Sequence, residues 1–498
     1  MAFLTEAANR GSISTGYDIA NSLLLDNSDN DKNFNHHQMS PGGDDQWSAQ
    51  SNAGTNSKKA TISMWIKRSK LSPSSGDGQH MRLFQFQTGG NATALYLSND
   101  KINMYDDVTS AYLVSNRLLR DTSAWYHIVL AMDSTQSTAA NRVKIYVNGV
   151  QETSWSSEDY GNQNADLAMF STTNVTWLLG CASSQNSGYA FDGYMAEVHF
   201  VDGAQKEALD FGEFDEDSGI WVPIEYKGSH GTLGAYYNFE DTSNNRFNDE
   251  SGNGNFMDNR GGVFEGGIAT DTPTNNFCLL NGPQQVQSRF VFTQGLTTVN
   301  LTGDHGYRTI AGDMGFQHGK WYAEFKMGTG RVQTIVGMTQ LDDTRSWQDT
   351  YIGGVSNSTA YGMGHSYDGY FYRNGGSGAI GVSWTAGDII GIAIRINADG
   401  TGFMGMSKNG TWMNSQDPSS GTTGMLGLAY GNPLPAHLHH SFAITLRHDD
   451  GPVYANFGGF PGFTISSGNT DANGYGNFEY EVPTGYYALC SKNLGEFG

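Results

Sequence analysis

Cysteine is nearly missing from this 498-residue chain. Cys181, Cys278 and Cys490 are far apart and odd in number. That excludes a disulfide framework and a cysteine-based zinc site, and it places the three thiols in cores as small hydrophobes. Charge is also scarce, at 16% of residues, where soluble proteins carry about a quarter. The 28 lysines and arginines are scattered and outnumbered by 50 aspartates and glutamates, giving a net charge of -22. Phosphate binding needs clustered cations, so nucleic acid is excluded as a partner. No apolar run approaches the ~18 residues of a membrane span, and the opening MAFLTEAANRGSISTGYDIANS has no basic stretch, useful apolar stretch or cleavage site. Neither membrane insertion nor signal-directed export is expected. What the chain has instead is glycine, 65 residues, and aromatics at 12%. Many tight turns joining short aromatic strands describe an all-β protein, and the length exceeds one core, pointing to two or three domains.

Residues 1–55 read as a polar arm with one strand, Ser22 to Leu25. From Thr61 the period becomes two: TISMWIK puts Ile62, Met64 and Ile66 on one face and Ser63, Trp65 and Lys67 on the other. WYHIVLAMD (125–133) has faces that can both be covered, as in a central strand. RVKIYVNGV ends on Asn148-Gly149, whose positive-φ preference fits a type I′ hairpin. Within 204–285, AQKEALDFG could form two helical turns and YYNFE (236–240) a little β structure. Turn residues dominate 226–285, which is read as an irregular connector laid along the domains. A second strand series follows. KWYAEFKM alternates Trp321, Ala323, Phe325 and Met327 against Tyr322, Glu324 and Lys326, while GDIIGIAIRI places Ile390, Ile392, Ile394 and Ile396 on one face. FMGMSKNGTW repeats the hairpin device at Asn409-Gly410.

ATISMWIKRS, WYHIVLAMD, VKIYVNGV and FDGYMAEVHFVDG, in that order, resemble the laminin-G-like branch of the concanavalin-type lectin and glucanase fold over about residues 10–225. KWYAEFKM, GDIIGIAIRI, FMGMSKNGTW and VYANFG resemble the SPRY (B30.2) family over about 286–465. The two resemblances imply two concanavalin-like antiparallel sandwiches, 56–225 and 286–465, with a C-terminal extension, 466–498. TDTPTNNFCLLN (270–281) and FEYEVPTGYYALCSKNLGEF (478–497) resemble segments flanking SPRY-like domains in virion proteins of marine tailed phages. A polar, extracellular-looking surface without an export signal fits a protein made in a host cytoplasm and released by lysis.

Catalysis is not expected. Retaining glycoside hydrolysis needs two carboxylates about 5 to 5.5 Å apart. The nearest string, Glu213, Asp215 and Asp217 in EFDED, is flanked by glycines and reads as a solvated acidic loop. His437 and His439 in PAHLHHSF would share a strand face with His440 adjacent, but no further ligand type accompanies them, so no metal is assigned. The acidic runs 26–31 and 241–255 lack the calcium-loop pattern. No cofactor is implied and no ligand-binding residue is fixed. Trp155, Tyr160, Trp347 and Tyr351 are loop candidates for sugar stacking that serve equally as packed edge residues. The resemblance implies a virion-surface protein, a tail fibre or appendage recognising a host-surface glycan. The alternatives are a head-decorating or adaptor protein binding only other virion proteins and, more distantly, a glycan hydrolase. Assembly as a homo-oligomer, with a trimer favoured, is expected from family analogy and from the need to bury the connector.

Overall fold

The computed structural model describes residues 16–26, 37–39, 54–72, 79–88, 90–170, 176–182, 189–240, 246–259, 267–282, 290–303, 306–329, 333–341, 351–354, 363–373, 375–420, 426–427, 438–447 and 451–498. The described residues are all-β apart from one α-helix, Ser491–Phe497, and short 3-10 turns. The chain divides into two compact units, meeting in sequence between Thr274 and Asn275.

The first unit is a sandwich of two antiparallel sheets. One has the order Val150–Gln151, Val143–Val147, Trp125–Asp133, Lys59–Arg68, Gly193–Asp202, Ser22–Leu25 and Ile268–Ala269, with Ala235–Tyr237 also paired to Gly193–Asp202. The facing sheet runs from the edge strand Trp155–Tyr160 through Ala111–Leu118, Lys101–Asp106, Asn91–Ser98, His80–Thr88 and Thr176–Leu179, and ends with His37–Met39, Met257–Asn259 and Arg246–Phe247. Ile62, Met64, Ile66, Ile128, Leu130 and Met132 meet Phe84, Phe86, Leu95, Leu97 and Met104 in the core between them. The alternation read from the sequence therefore sets the inner face, and Ser22–Leu25 is a strand as expected.

The stretch expected to be a connector, 226–285, is divided: up to Thr274 it is part of this unit, and from Asn275 it belongs to the second. Ala235–Tyr237 and Ile268–Ala269 pair into one sheet and Met257–Asn259 into the other. Tyr237, Phe239, Phe247 and Met257 are core residues. A buried ion pair fixes its end: Lys67 Nζ lies 2.7 Å from Asp271, both side chains fully enclosed, and Trp125 Nε1 donates to the other Asp271 oxygen at 3.1 Å. Removing either charge alone would strand its partner in low dielectric. The helix expected in AQKEALDFG shrinks to one turn, Ala208–Asp210, because Glu207 and Asp210 form a reciprocal capping box and the chain then enters the strand Gly212–Phe214.

The second unit has one sheet ordered Phe290–Thr293, Thr298–Leu301, Val453–Asn456, Gly319–Met327, Ile389–Ile396, Gly402–Lys408 and Thr411–Trp412. It faces another ordered Arg308–Ala311, His440–Leu446, Ile335–Gln340, Met363–Ser366, Tyr370–Arg373 and Gly376–Ala379. Trp321, Ala323, Phe325 and Met327 fill the core with Ile390, Ile392, Ile394 and Ile396, as their spacing predicts. The residues read as a C-terminal extension are built into the unit: Tyr487–Ala488 pairs in parallel with Gly319–Met327, and Phe478, Tyr486 and Cys490 bury the outer side of that sheet with Phe277 and Tyr322. All three cysteines are buried.

Both hairpins have the expected geometry. Asn148 and Gly149 have φ of 47° and 79°, and Asn409 and Gly410 have 50° and 79°. A Cβ on Gly149 would lie 2.3 Å from Trp221, and one on Gly410 would lie 2.6 Å from Tyr480. Each glycine is required by its turn and by the ring beside it.

Candidate functional site

The aromatic-Glu and NFG strings of the second unit converge on one buried carboxylate. Glu324 accepts hydrogen bonds from the Tyr322 hydroxyl at 3.1 Å and Asn456 Nδ2 at 3.2 Å. It also accepts from the backbone amides of Glu479 at 2.9 Å and Tyr480 at 2.8 Å. Burial pushes its pKa up while these four donors pull it back. The result is positional: Glu324 fastens residues 479–480 against the sheet.

That attachment forms one wall of a pocket of about 360 Å³. The Tyr480 ring lies over Gly410, and Trp412, partly exposed, follows on the same hairpin. Opposite, the Tyr486 hydroxyl donates to the Pro418 carbonyl at 3.2 Å, fixing the turn where Asp417 accepts from the Ser419 amide at 2.9 Å and from its hydroxyl. These two Ser419 donors hold the Asp417 carboxyl below its ordinary range. Glu481, Thr484 and Ser419 complete the polar rim, and the lining holds no lysine, arginine or histidine. Flat rings beside hydroxyls and carboxylates suit a sugar, whose C–H faces stack on aromatics and whose hydroxyls pair with fixed acceptors.

A second constellation, in the first unit, is locked. On the outer face of the sheet, Trp221 Nε1 donates to His127 Nδ1 at 3.1 Å. His127 Nε2 therefore carries the proton and donates to Ser63 Oγ at 2.8 Å. Full burial pushes the His127 pKa down to about 3. Beside it His199 stacks on Tyr236 at 4.2 Å. Glu197, at φ 49° in a bulge of Gly193–Asp202, accepts the hydroxyls of Tyr17 and Tyr236. These side chains hold residues 211–240 over the sheet.

The residues weighed from sequence fall elsewhere. Glu213 is exposed on a short strand paired with Trp221–Pro223, and Asp215 caps a turn through Ser218, so EFDED brings no carboxylate pair together. Trp155 and Tyr160 sit on an edge strand rather than a loop, and both pack against the core. Tyr351 packs between Tyr307 and Tyr372. Trp347 and His437 lie outside the described residues, as do most of 26–31 and the start of 241–255. His440 is buried at the start of the strand His440–Leu446. Among the described residues no group of three metal-ligating side chains assembles. The sequence reading missed Trp412 and Tyr480. Their signal was present, a KNGTW hairpin and an aromatic-rich EYEVPTGYY, but the two halves meet only in three dimensions.

A family model for the concanavalin A-like lectin/glucanases superfamily matches residues 41–208. That match lies within the first unit, and each unit is a sandwich of antiparallel sheets. Solved structures similar to parts of the chain include a human SPRY domain (18% identity, 36% of this chain, 95% of that one, TM-score 0.23). Others are a putative carbohydrate binding protein from Bacteroides ovatus (13%, 48% and 58%, TM-score 0.31) and domains LG4-5 of the mouse laminin alpha1 chain (10%, 96% and 88%, TM-score 0.26). No curated protein matches the chain.

Proposed function

We propose that this chain is a non-catalytic glycan-binding protein of a tailed-phage virion, carried on a tail fibre or similar appendage. The pocket that pairs Trp412 and Tyr480 with Asp417, Ser419, Glu481 and Thr484 carries the binding reading. The virion reading rests on the segments 270–281 and 478–497, which resemble those of phage virion proteins, and on the charge-poor, amide-rich composition. The non-catalytic reading rests on EFDED, the nearest string to a glycosidase's carboxylate pair, in which Glu213 lies on a short exposed strand while Asp215 caps a turn.

Single sugars are expected to bind at millimolar strength, so durable attachment needs several copies, and a homo-oligomer, with a trimer favoured, supplies them. The test is a panel of neutral methyl glycosides followed by Trp fluorescence. Trp412→Ala, with its fold checked by circular dichroism, is expected to weaken binding by about tenfold or more. Beads coated with the protein should stain susceptible cells. No cell binding, together with saturable rebinding to stripped heads, would replace this reading with a decorating role. Release of reducing ends from a bound glycan would replace it with a hydrolase.

A further inference from the structure

The outward face of the second sheet of the first unit carries a cation, Arg82, two of whose three guanidinium nitrogens have no acceptor. Arg82 projects from His80–Thr88 on the side opposite Met81 and Leu83, and only 9% of it is exposed. Its guanidinium carbon lies 4.0 Å from the centre of the Tyr96 ring, 5.2 Å from Tyr105 and 5.6 Å from Tyr189. The His80 ring stacks on Tyr189. Such stacking balances the charge but not the donors. Guanidinium N–H bonds lie in the plane of the group, while a ring 4.0 Å away rests against its face. Arg82 Nε and Nη1 are accordingly buried with no acceptor, as is His80 Nδ1.

A buried donor left in this state is costly, and a native protein keeps such a group where water, an ion or a ligand completes it. Nε and Nη1 lie on different edges of the guanidinium, each beside Nη2, so a planar acceptor with two oxygens arriving edge-on takes Nη2 together with one of them. Its surroundings extend the match. Tyr112, 41% exposed, stands opposite Tyr105 on the neighbouring strand and continues the row of rings away from Arg82. Of the nearby acids, Asp106 is committed to Thr93, Thr109 and the Ala168 amide, and Asp107 accepts from the Ala92 amide.

We propose that this face is a second carbohydrate site, specific for an acidic sugar whose carboxylate is read by Arg82 and whose ring lies on the tyrosines. It is independent of the Trp412 pocket, whose carboxylates and lack of cations disfavour an acidic sugar.

Glucuronate, glucose and inorganic sulfate are titrated into the full chain and followed by NMR. Glucuronate is expected to bind in the millimolar range and to outcompete both, because glucose lacks the carboxylate and sulfate lacks the ring. Arg82→Lys keeps the charge but removes the planar fork, and should weaken glucuronate by about tenfold. Tyr189→Ala, at a partly exposed ring, should weaken it severalfold with the far-ultraviolet spectrum unchanged, which covers the case in which Arg82→Lys fails to fold. Glucuronate binding should persist in Trp412→Ala, so the two sites fail separately. Glucuronate binding no better than glucose or sulfate, or insensitivity to both Arg82→Lys and Tyr189→Ala, would overturn the proposal.

Discussion

At the residue scale the hairpin glycines and the buried histidines make the sharpest predictions. Gly149→Val and Gly410→Val are each expected to destabilise by about 2 kcal/mol or more, since a branched side chain at positive φ is strained and its Cβ would also strike Trp221 or Tyr480. Urea denaturation of each variant checks this. His365 and His440 are buried with neither ring nitrogen hydrogen-bonded, and burial pushes both pKa values down to about 4. The folded state therefore excludes protons that the unfolded chain takes up below about 6.5. Their neutral forms support the fold fully above that value, and the support is lost as pH falls toward 4, by on the order of a few kcal/mol each. The melting temperature should drop across this window, and the double variant His365→Phe, His440→Leu should flatten the drop.

At the scale of elements, the outer face of the Lys59–Arg68 sheet explains both what the sequence revealed and what it hid. Ile62, Met64 and Ile66 alternate with Ser63, Trp65 and Lys67, and period two assigns the first three to a core. It also assigns the others to solvent, yet all three are buried, because Trp221 reaches the sheet from far along the chain and Asp271 from farther still. Nothing local in a strand announces a cover made of turns, so 226–274 reads as a connector. The same limit hid the pocket: Trp412 looked like hairpin punctuation and Tyr480 like part of a tail, and they meet where Glu324 holds the Tyr480 amide and the Tyr480 ring lies over Gly410. The cover is testable. Trp221→Ala should destabilise by about 3 to 5 kcal/mol and let the His127 pKa rise from about 3 toward its ordinary value, as read by imidazole proton shifts.

For the whole molecule, the unit boundary outranks the motif boundaries. Fragment 14–274 should melt cooperatively, whereas 56–225 should not, because it lacks the partner of Lys67, the strand Ser22–Leu25 and the core residues Tyr237 and Phe247. Circular dichroism melts of the two fragments decide it. The argument that a loose connector demands burial between chains loses its ground where Ala235–Tyr237, Met257–Asn259 and Ile268–Ala269 pair into the first unit's sheets, and the proposed oligomer rests on multivalency, to be measured by light scattering against the 54.0 kDa chain. Glu324 adds a dimension of time. Two of its donors, the amides of Glu479 and Tyr480, are made 155 and 156 residues after it. In a growing chain the first unit can close while Glu324 has only Tyr322 and Asn456 as donors, the other two arriving with residues 479 and 480. A chain cut before residue 479 is therefore expected to hold a second sandwich with a half-satisfied buried acid, and to be cleaved by protease faster than the 498-residue chain.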